Sequence, residues 1–355
     1  MFKDRAAGAL VGGLIGDALG LGCHWYYDLE ELRRRYGSWI SDYTTPADDW
    51  YHSGMKPGQL SQTGLITLIL LRSVIDNSGY IEADFTARLE AELFTKLDGT
   101  ARSGPGGYTN QSIREVFAKI KAGREWSSCA GEVDTTEAAE RAIVLSILYS
   151  KTPRMVAATV ASNCRLTHGN DMVVSLTTAY NCTLAMLLSG EKLDMKLVDR
   201  LLEQVVKGDL PFQNRVVPQK DGDYDLSLPG LFPTPDPLMW SSWPSGFLHD
   251  PGIQIEPASK IALIYGLPCA IYYQLPAAYY LAARFSDDFE SAVLHAINGG
   301  GQNMSRAFLT GALVGAQVGF SKIPKHFVDG LENSDEIVQL CYKLTDLADA
   351  DPTRL

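Results

Sequence analysis

The chain has 355 residues, 46% of them hydrophobic, enough to bury a large core and by length alone suggestive of about two domains. A formal net charge of −11 and a pI near 5.0 argue against nucleic acid or an anionic membrane as the main partner. The one basic run, Arg33 to Arg35, is too short to change that.

In chain order the pattern predicts helices almost throughout. The first covers residues 4 to 20, and a short one covers 29 to 36 inside an otherwise loop-rich stretch that holds HWYYD at 24 to 28 and DYTTPADDWYHSG. The apolar run LSQTGLITLILLRSVID, from Leu60, reads as a buried helix. Amphipathic helices are expected over 82 to 97 and 111 to 122, then a helix started by Thr135, Thr136 and Glu137. Further helices are expected at 153 to 166, 171 to 189, 194 to 206, 268 to 284, 286 to 297, 305 to 320 and 335 to 348. Strand-like alternation is scarce, so the expected class is all-α. Residues 208 to 258 carry nine prolines and read as an irregular covering insertion. No Pro/Ser linker or charge block divides the chain, so one domain over 1 to 355 is expected.

Six cysteines, at 23, 129, 164, 182, 269 and 341, share no metal-type spacing and sit mostly in apolar segments, which predicts a reducing, cytoplasmic compartment. The charged start and apolar run of MFKDRAAGALVGGLIG resemble a signal peptide, but the run is glycine-rich and leads straight into GDALG, which favours a core helix. No uninterrupted apolar stretch reaches the roughly 20 residues a bilayer span needs.

Two glycine stripes organise the sequence. Gly8, Gly12, Gly16 and Gly20 recur at spacing four, as do Gly311, Gly315 and Gly319. Glycines so spaced share one helix face and let another backbone come close, so the two helices are expected to pack together and bring Asp17 near the loop before the second one. That loop, GGGQNMSRA from Gly299, feeds a helix N-terminus whose unpaired N–H groups suit an anion or polar ligand. Close packing without any ligand is the alternative reading of the stripes.

GALVGGLIGDALG, SQTGLITLIL, THGND at 167 to 171 and GG-QNMSRA-FLTGALVGA together resemble the ADP-ribosylglycohydrolase family, over nearly the whole chain. HWYYD, YHSG at 51 to 54 and YGLPCAIYYQLPAAYYLAARF at 265 to 285 are most similar to its J1-crystallin-like branch. The resemblance implies a single-domain orthogonal helical bundle, two central magnesium ions, and cleavage of the bond between ADP-ribose and its acceptor.

The departures fall at the metal positions. The family pattern Thr-Asp-Asp-Thr falls on Ser61, Gln62, Thr63 and Gly64, and Gly-Gly-Asp-Thr-Asp-Thr falls on Gly300, Gly301, Gln302, Asn303, Met304 and Ser305. All four carboxylates are missing, and a one-residue slip restores none, because Gly299 to Ala307 contain no aspartate. Magnesium takes oxygen donors and normally one or two carboxylates. A unit charge lost about 4 Å away is worth on the order of 4 kcal/mol per unit charge on the ion, at an effective dielectric of ~20. The expectation is therefore no metal and no cofactor, with the centre given over to neutral hydrogen bonding.

Several residues remain candidates. Asp17, Asp49 and His52 are the candidate catalytic groups, Asp17 reading equally as a structural acid and the Asp48–Asp49 pair as solvated surface. The candidate ligand-binding set is His24, Trp25, Tyr26, Ser61, Gln62, Thr63, His168, Gly300, Gly301, Gln302, Asn303, Ser305 and Arg306. The aromatic and imidazole groups suit stacking or acid–base work, or simply packing. His168 reads as a ligand or as a cap for the helix beginning near Asp171. Arg306 suits a carboxylate or phosphate, or a salt bridge to Asp17 or Asp49. Cys269 has no evident base partner and makes a poor nucleophile. Three functions fit these residues: a metal-independent binding or structural protein of the J1-crystallin kind, a hydrolase of ADP-ribosyl or other glycosidic bonds, or a repurposed enzyme acting on a small organic substrate. A small-molecule or ADP-ribose-like ligand is the expected partner, with the oligomeric state left open.

Overall fold

A computed structural model describes residues 1–213, 232–248 and 250–350. Helices account for its regular structure, and among the described residues β-pairing is confined to two isolated bridges, Gly131 with His168 and Phe212 with Phe232. The helices α1 (Phe2–Gly22), α2 (Leu29–Tyr36) and α3 (Gln62–Asp76) fall where periodicity puts them. The expected single helix over 82 to 97 is broken: α4 (Glu82–Arg88) passes into a π turn, Leu89–Leu93, and a 3₁₀ turn. After α5 (Gln111–Lys121), the run expected as one helix divides at Ala142 into α6 (Glu137–Arg141) and α7 (Ile143–Leu148).

Next come α8 (Pro153–Arg165), α9 (Asp171–Leu188) and α10 (Leu197–Val206). The proline-rich insertion lies partly outside the described residues; within it, α11 (Asp236–Met239) and α12 (Trp243–Phe247) are short. The helix expected over 268 to 284 is present as α14 (Ile271–Arg284), and a short helix that the pattern does not predict, α13 (Ile261–Tyr265), precedes it across Gly266 and Pro268. The chain closes with α15 (Phe289–Ile297), α16 (Asn303–Val318), α17 (Lys325–Gly330) and α18 (Ser334–Asp349). Length and composition alone would let α9 cross a membrane, but the surrounding helices bury 83% of it.

At the middle of the fold α1 and α16 run antiparallel along both glycine stripes. A Cβ on Gly8 would lie 2.2 Å from the Gly315 carbonyl oxygen, and one on Gly12 would lie 2.6 Å from that of Gly311. Further along, a Cβ on Gly16 would meet the Ala307 oxygen at 2.1 Å and one on Gly20 the Met304 Cα at 2.4 Å, so backbone touches backbone over about three turns. Leu10, Leu14, Phe308 and Leu313 fill the flanks and are fully buried. This seam fixes Asp17, on the last turns of α1, beside the first turn of α16.

Candidate functional site

Asp17 is fully buried, and Ser61 answers it twice. The Ser61 backbone N–H donates to Oδ2 at 2.7 Å and its hydroxyl donates to Oδ1 at 2.6 Å. Ser61 is also the N-cap of α3, its Oγ accepting from the N–H of Thr63 at 3.1 Å. A side chain on Gly64 would lie 2.6 Å from Asp17 Oδ2, so the missing side chain there makes room for the carboxylate. Burial pushes the Asp17 carboxyl up to about 6, against the pull of the two Ser61 bonds. The rest of this turn is satisfied internally. Gln62 donates to Thr109 Oγ1 at 3.0 Å and accepts from the Asn110 N–H at 3.2 Å, while Asn110 Nδ2 donates to Thr63 Oγ1 at 2.9 Å.

The opposite half is built by the loop before α16. Gly300 and Gly301 take φ of +67° and +58°, a left-handed pair that other residues adopt only under strain. The Gly301 N–H donates to the Tyr26 carbonyl at 2.7 Å and that of Gln302 to Leu267 at 2.9 Å. Gln302 donates to Ser305 Oγ at 2.8 Å, and Asn303 Nδ2 donates to the Cys23 carbonyl at 3.1 Å. Arg306 is spent on this loop. Its guanidinium donates to the carbonyls of Ala296 and Gly300 and to Gln274 Oε1, fully buried and without the salt bridge to Asp17 or Asp49 that the sequence allows. It is a structural clasp, and the expectation that it grips a ligand anion gives way to that role.

Beside these turns stands the aromatic and imidazole cluster. His24 stacks on Trp25 with ring centres 5.2 Å apart, and Trp25 contacts Tyr51 and Tyr108. His24 Nδ1 lies 3.1 Å from Asn303 Oδ1, a bond that ties the cluster to α16. Tyr26 turns away and stacks on Trp50, at 4.6 Å, which makes it a packing residue. Trp25 and His52 are both non-glycine residues held at positive φ, +75° and +62°. His52 Nδ1 lies 2.8 Å from the Gly106 carbonyl and must be the protonated nitrogen, because a carbonyl only accepts. Its Nε2 is then a lone-pair acceptor, buried and unpartnered among the described residues. Burial pushes the His52 imidazole down to about 4 and that of His24 well below its usual value, so both rings are neutral at physiological pH.

The first turn of α6 adds residues that sequence reasoning passed over. Glu137 and Glu140 are buried, Glu140 completely. Glu140 Oε1 accepts from the Thr136 hydroxyl at 2.6 Å, and among the described residues Oε2 has no hydrogen-bond partner. Burial pushes the Glu140 carboxyl up to about 8, with the charges of Glu137 and Asp17 acting in the same direction and contact with Ser305 opposing them. Burial would also raise Glu137, but the bonds from His168 and Thr135 outweigh it and hold Glu137 below the usual carboxylate range. Arg141 Nη2 donates to Thr167 Oγ1 at 2.8 Å, leaving the Thr167 proton for His168 Nδ1 at 2.8 Å. His168 Nε2–H then points to Glu137 Oε2 at 3.3 Å. Capping of α9 falls instead to Asn170, whose side chain accepts from the N–H groups of Met172 and Val173. A visible signal did exist: Glu137, Glu140 and Arg141 interrupt a run of alanine, isoleucine and valine, TTEAAERAIVL.

Asp49 stands apart from this centre. It is exposed and ion-paired with Arg35, whose guanidinium holds its carboxyl below the usual range. Asp48 is likewise exposed.

Magnesium fits this arrangement poorly. The Ser61–Gly64 and Gly300–Ser305 positions offer no carboxylate, and the Ser61, Gln62, Thr63 and Gln302 side chains already bond to other protein groups. Among the described residues no three His, Cys, Asp or Glu side chains converge as a metal-holding group.

An all-helical fold whose glycine-packed central pair carries a buried polar centre at one end defines the class of protein. The ADP-ribosylglycohydrolase family model matches residues 1–353, and the chain belongs to that family. It is similar to Crystallin J1A of Tripedalia cystophora, 25% identical over 358 residues, and to an uncharacterized protein of Archaeoglobus fulgidus, 22% identical over 354 residues; both alignments cover 97% of either chain. Among solved structures, an ADP-ribosylglycohydrolase-related protein complex matches with a TM-score of 0.63 and 18% identity, covering 98% of this chain and 99% of that one.

Proposed function

We propose that this chain is a metal-independent member of its family, J1-crystallin-like, which keeps the family pocket as a binding centre for a small, ADP-ribose-like molecule. The observation that carries this reading is the self-satisfied state of the two turns where the family pattern places carboxylates. Ser61 serves Asp17, Gln62 and Thr63 serve the Thr109–Asn110 segment, and Gln302 serves Ser305. A divalent ion would have to break these bonds and would gain no negative charge in return. Six free thiols, five of them buried, suit a reducing, cytoplasmic setting, and the acidic composition suits the solubility a crystallin-type role demands.

A second reading, hydrolysis of a glycosidic bond without metal ions, is favoured by the unpartnered Nε2 of His52, a lone-pair acceptor sealed from solvent that would take a proton from water or a sugar hydroxyl only once the cluster around it opens. Calorimetric titration separates the readings. The binding protein takes up ADP-ribose in the presence of chelator, shows no micromolar magnesium affinity and releases no product. Micromolar uptake of magnesium overturns the metal-independent assignment, and product release in chelator favours the second reading.

A further inference from the structure

The helix α9 serves two different surroundings. Tyr180 donates to the Leu309 carbonyl at 2.9 Å and Asn181 Nδ2 to that of Ala139 at 3.2 Å, so this side of the helix faces α16 and α6 and the centre they carry. At roughly 100° per residue, Cys182, Ala185 and Met186 point away from Tyr180. On that side a cavity of about 280 Å³ opens between α9, the start of α8 and α10. Its floor is apolar: Val156, Cys182 and Ala185 are all at most 6% exposed. A dry apolar cavity of about 150 Å³ already admits benzene, so this one has room for a single ring and a few further atoms.

Two polar groups in the lining lack good partners. Ser150 is 6% exposed, and its buried hydroxyl bonds to nothing among the described residues. Held by no partner, that hydroxyl is free to turn about χ1 to the cavity its residue lines. The Gln204 amide N–H reaches the Met186 thioether sulfur at 3.0 Å, a weak acceptor. An oxygen arriving between Ser150 and Gln204 would recover the cost of both. The charges at the rim are already spent, Lys151 on Asp349 and Glu191 on Arg200, and the floor offers an ion no partner.

We infer that this cavity is a second small-molecule site, separate from the polar centre, which takes a neutral molecule made of one apolar ring bearing a hydroxyl or carbonyl oxygen. The ring lies on Val156, Cys182 and Ala185, and the oxygen meets the Ser150 hydroxyl and the Gln204 amide.

4-Fluorophenol, followed by its fluorine line width in NMR, probes the site in the full chain. Saturable broadening at millimolar concentration is expected, unaffected by excess ADP-ribose. Fluorobenzene, which lacks the oxygen, is expected to bind about fivefold more weakly, and Ser150→Ala to weaken 4-fluorophenol by a similar factor. Ala185→Met, which fills the cavity, is expected to abolish binding. Displacement of the probe by ADP-ribose, binding unaltered in both variants, or no saturable binding at all each overturns the inference. Thiol reactivity of the wild type gives a second measurement that needs no variant. Methyl methanethiosulfonate, small and neutral, is expected to modify Cys182 before Cys164 and Cys341, and 4-fluorophenol to slow the reaction at Cys182. Burial pushes all three thiols up, Cys182 and Cys341 to about 12 and Cys164 to about 11, so access and not acidity sets that order. Cys182 reacting no sooner than the other two overturns the site.

Discussion

The glycine seam and the polar centre at its end are made in opposite ways. Along the seam, contact is so close that no atom can be added: backbone meets backbone because Gly8, Gly12, Gly311 and Gly315 have no side chains. At the centre, groups that cost free energy to bury are held by partners drawn from distant parts of the chain, Asp17 from Ser61 and His24 from Asn303. The seam tolerates no variation and performs no chemistry, whereas the centre tolerates exchange of one polar set for another if each group finds a partner. That difference would let a family fold persist while the polar groups of its centre are exchanged.

The largest expected effect lies in the seam. Gly8→Val puts a branched side chain where even a Cβ would sit 2.2 Å from the Gly315 oxygen and 2.8 Å from the Gly319 backbone. Backbone cannot yield as a flexible side chain can, so the cost exceeds the ~1–3 kcal/mol of ordinary overpacking and reaches the scale of a native stability of ~5–15 kcal/mol. Urea denaturation is expected to find little folded protein. A variant within about 1 kcal/mol of wild type would mean that the seam can open.

At the centre the next effect is a pH dependence. Asp17 and Glu140 have folded pKa values of about 6 and about 8, both above their ordinary 3.8 and 4.5. A raised carboxyl pKa gives stability that is complete below the unfolded value and is lost as pH rises through the folded value. Stability should therefore fall between about pH 4 and pH 8 on account of these two groups. At ~1.4 kcal/mol per unit, Glu140 accounts for up to about 5 kcal/mol. Glu140→Gln is expected to flatten the slope between about pH 5 and pH 8 in denaturant melts. An unchanged slope would show that Glu140 is ionised or solvated.

Arg306→Ala strikes the joint between the two regions. It strands the carbonyls of Ala296 and Gly300 and the Gln274 oxygen, at ~1–3 kcal/mol for each unsatisfied group. Relief of a buried cation, whose pKa burial pulls down to about 9, offsets part of this, leaving an expected loss of roughly 3 kcal/mol. A melting temperature equal to wild type would show the Gly299–Gly301 loop to be held without the clasp.

These contrasts also explain what sequence made legible. A glycine every fourth residue is a local signal with one geometric meaning, so the α1–α16 packing and the place of Asp17 could be read directly. Ser61 before an apolar run is likewise a local cap signal. Glu137 and Glu140 were missed because acids in the first turn of a helix ordinarily face solvent and favour its dipole. Only the packing of α3, α9 and α16 around α6 turns them inward. Arg306 was misread for a similar reason: a guanidinium at a helix start suits an anion until the loop carbonyls that claim it are known. The break at Ala142 depends on tertiary fit rather than on hydrophobic period.

The smallest expected effect marks the outer edge of the centre. Asp49 was a candidate base because it precedes α3 in a chain that resembles an acid-rich family, yet its side chain is 69% exposed and its partner is Arg35. A solvent-screened pair of this kind adds little to stability, and a carboxylate held below its usual range by an adjacent guanidinium is a weak base at neutral pH. Asp49→Asn should therefore leave both the melting temperature and ADP-ribose binding in chelator unchanged, while any response to magnesium stays as weak as in wild type. Loss of ligand binding in this variant would carry the site outward past Trp50 and Tyr51 to the surface, and the division between a closed polar centre and its surroundings would have to be redrawn.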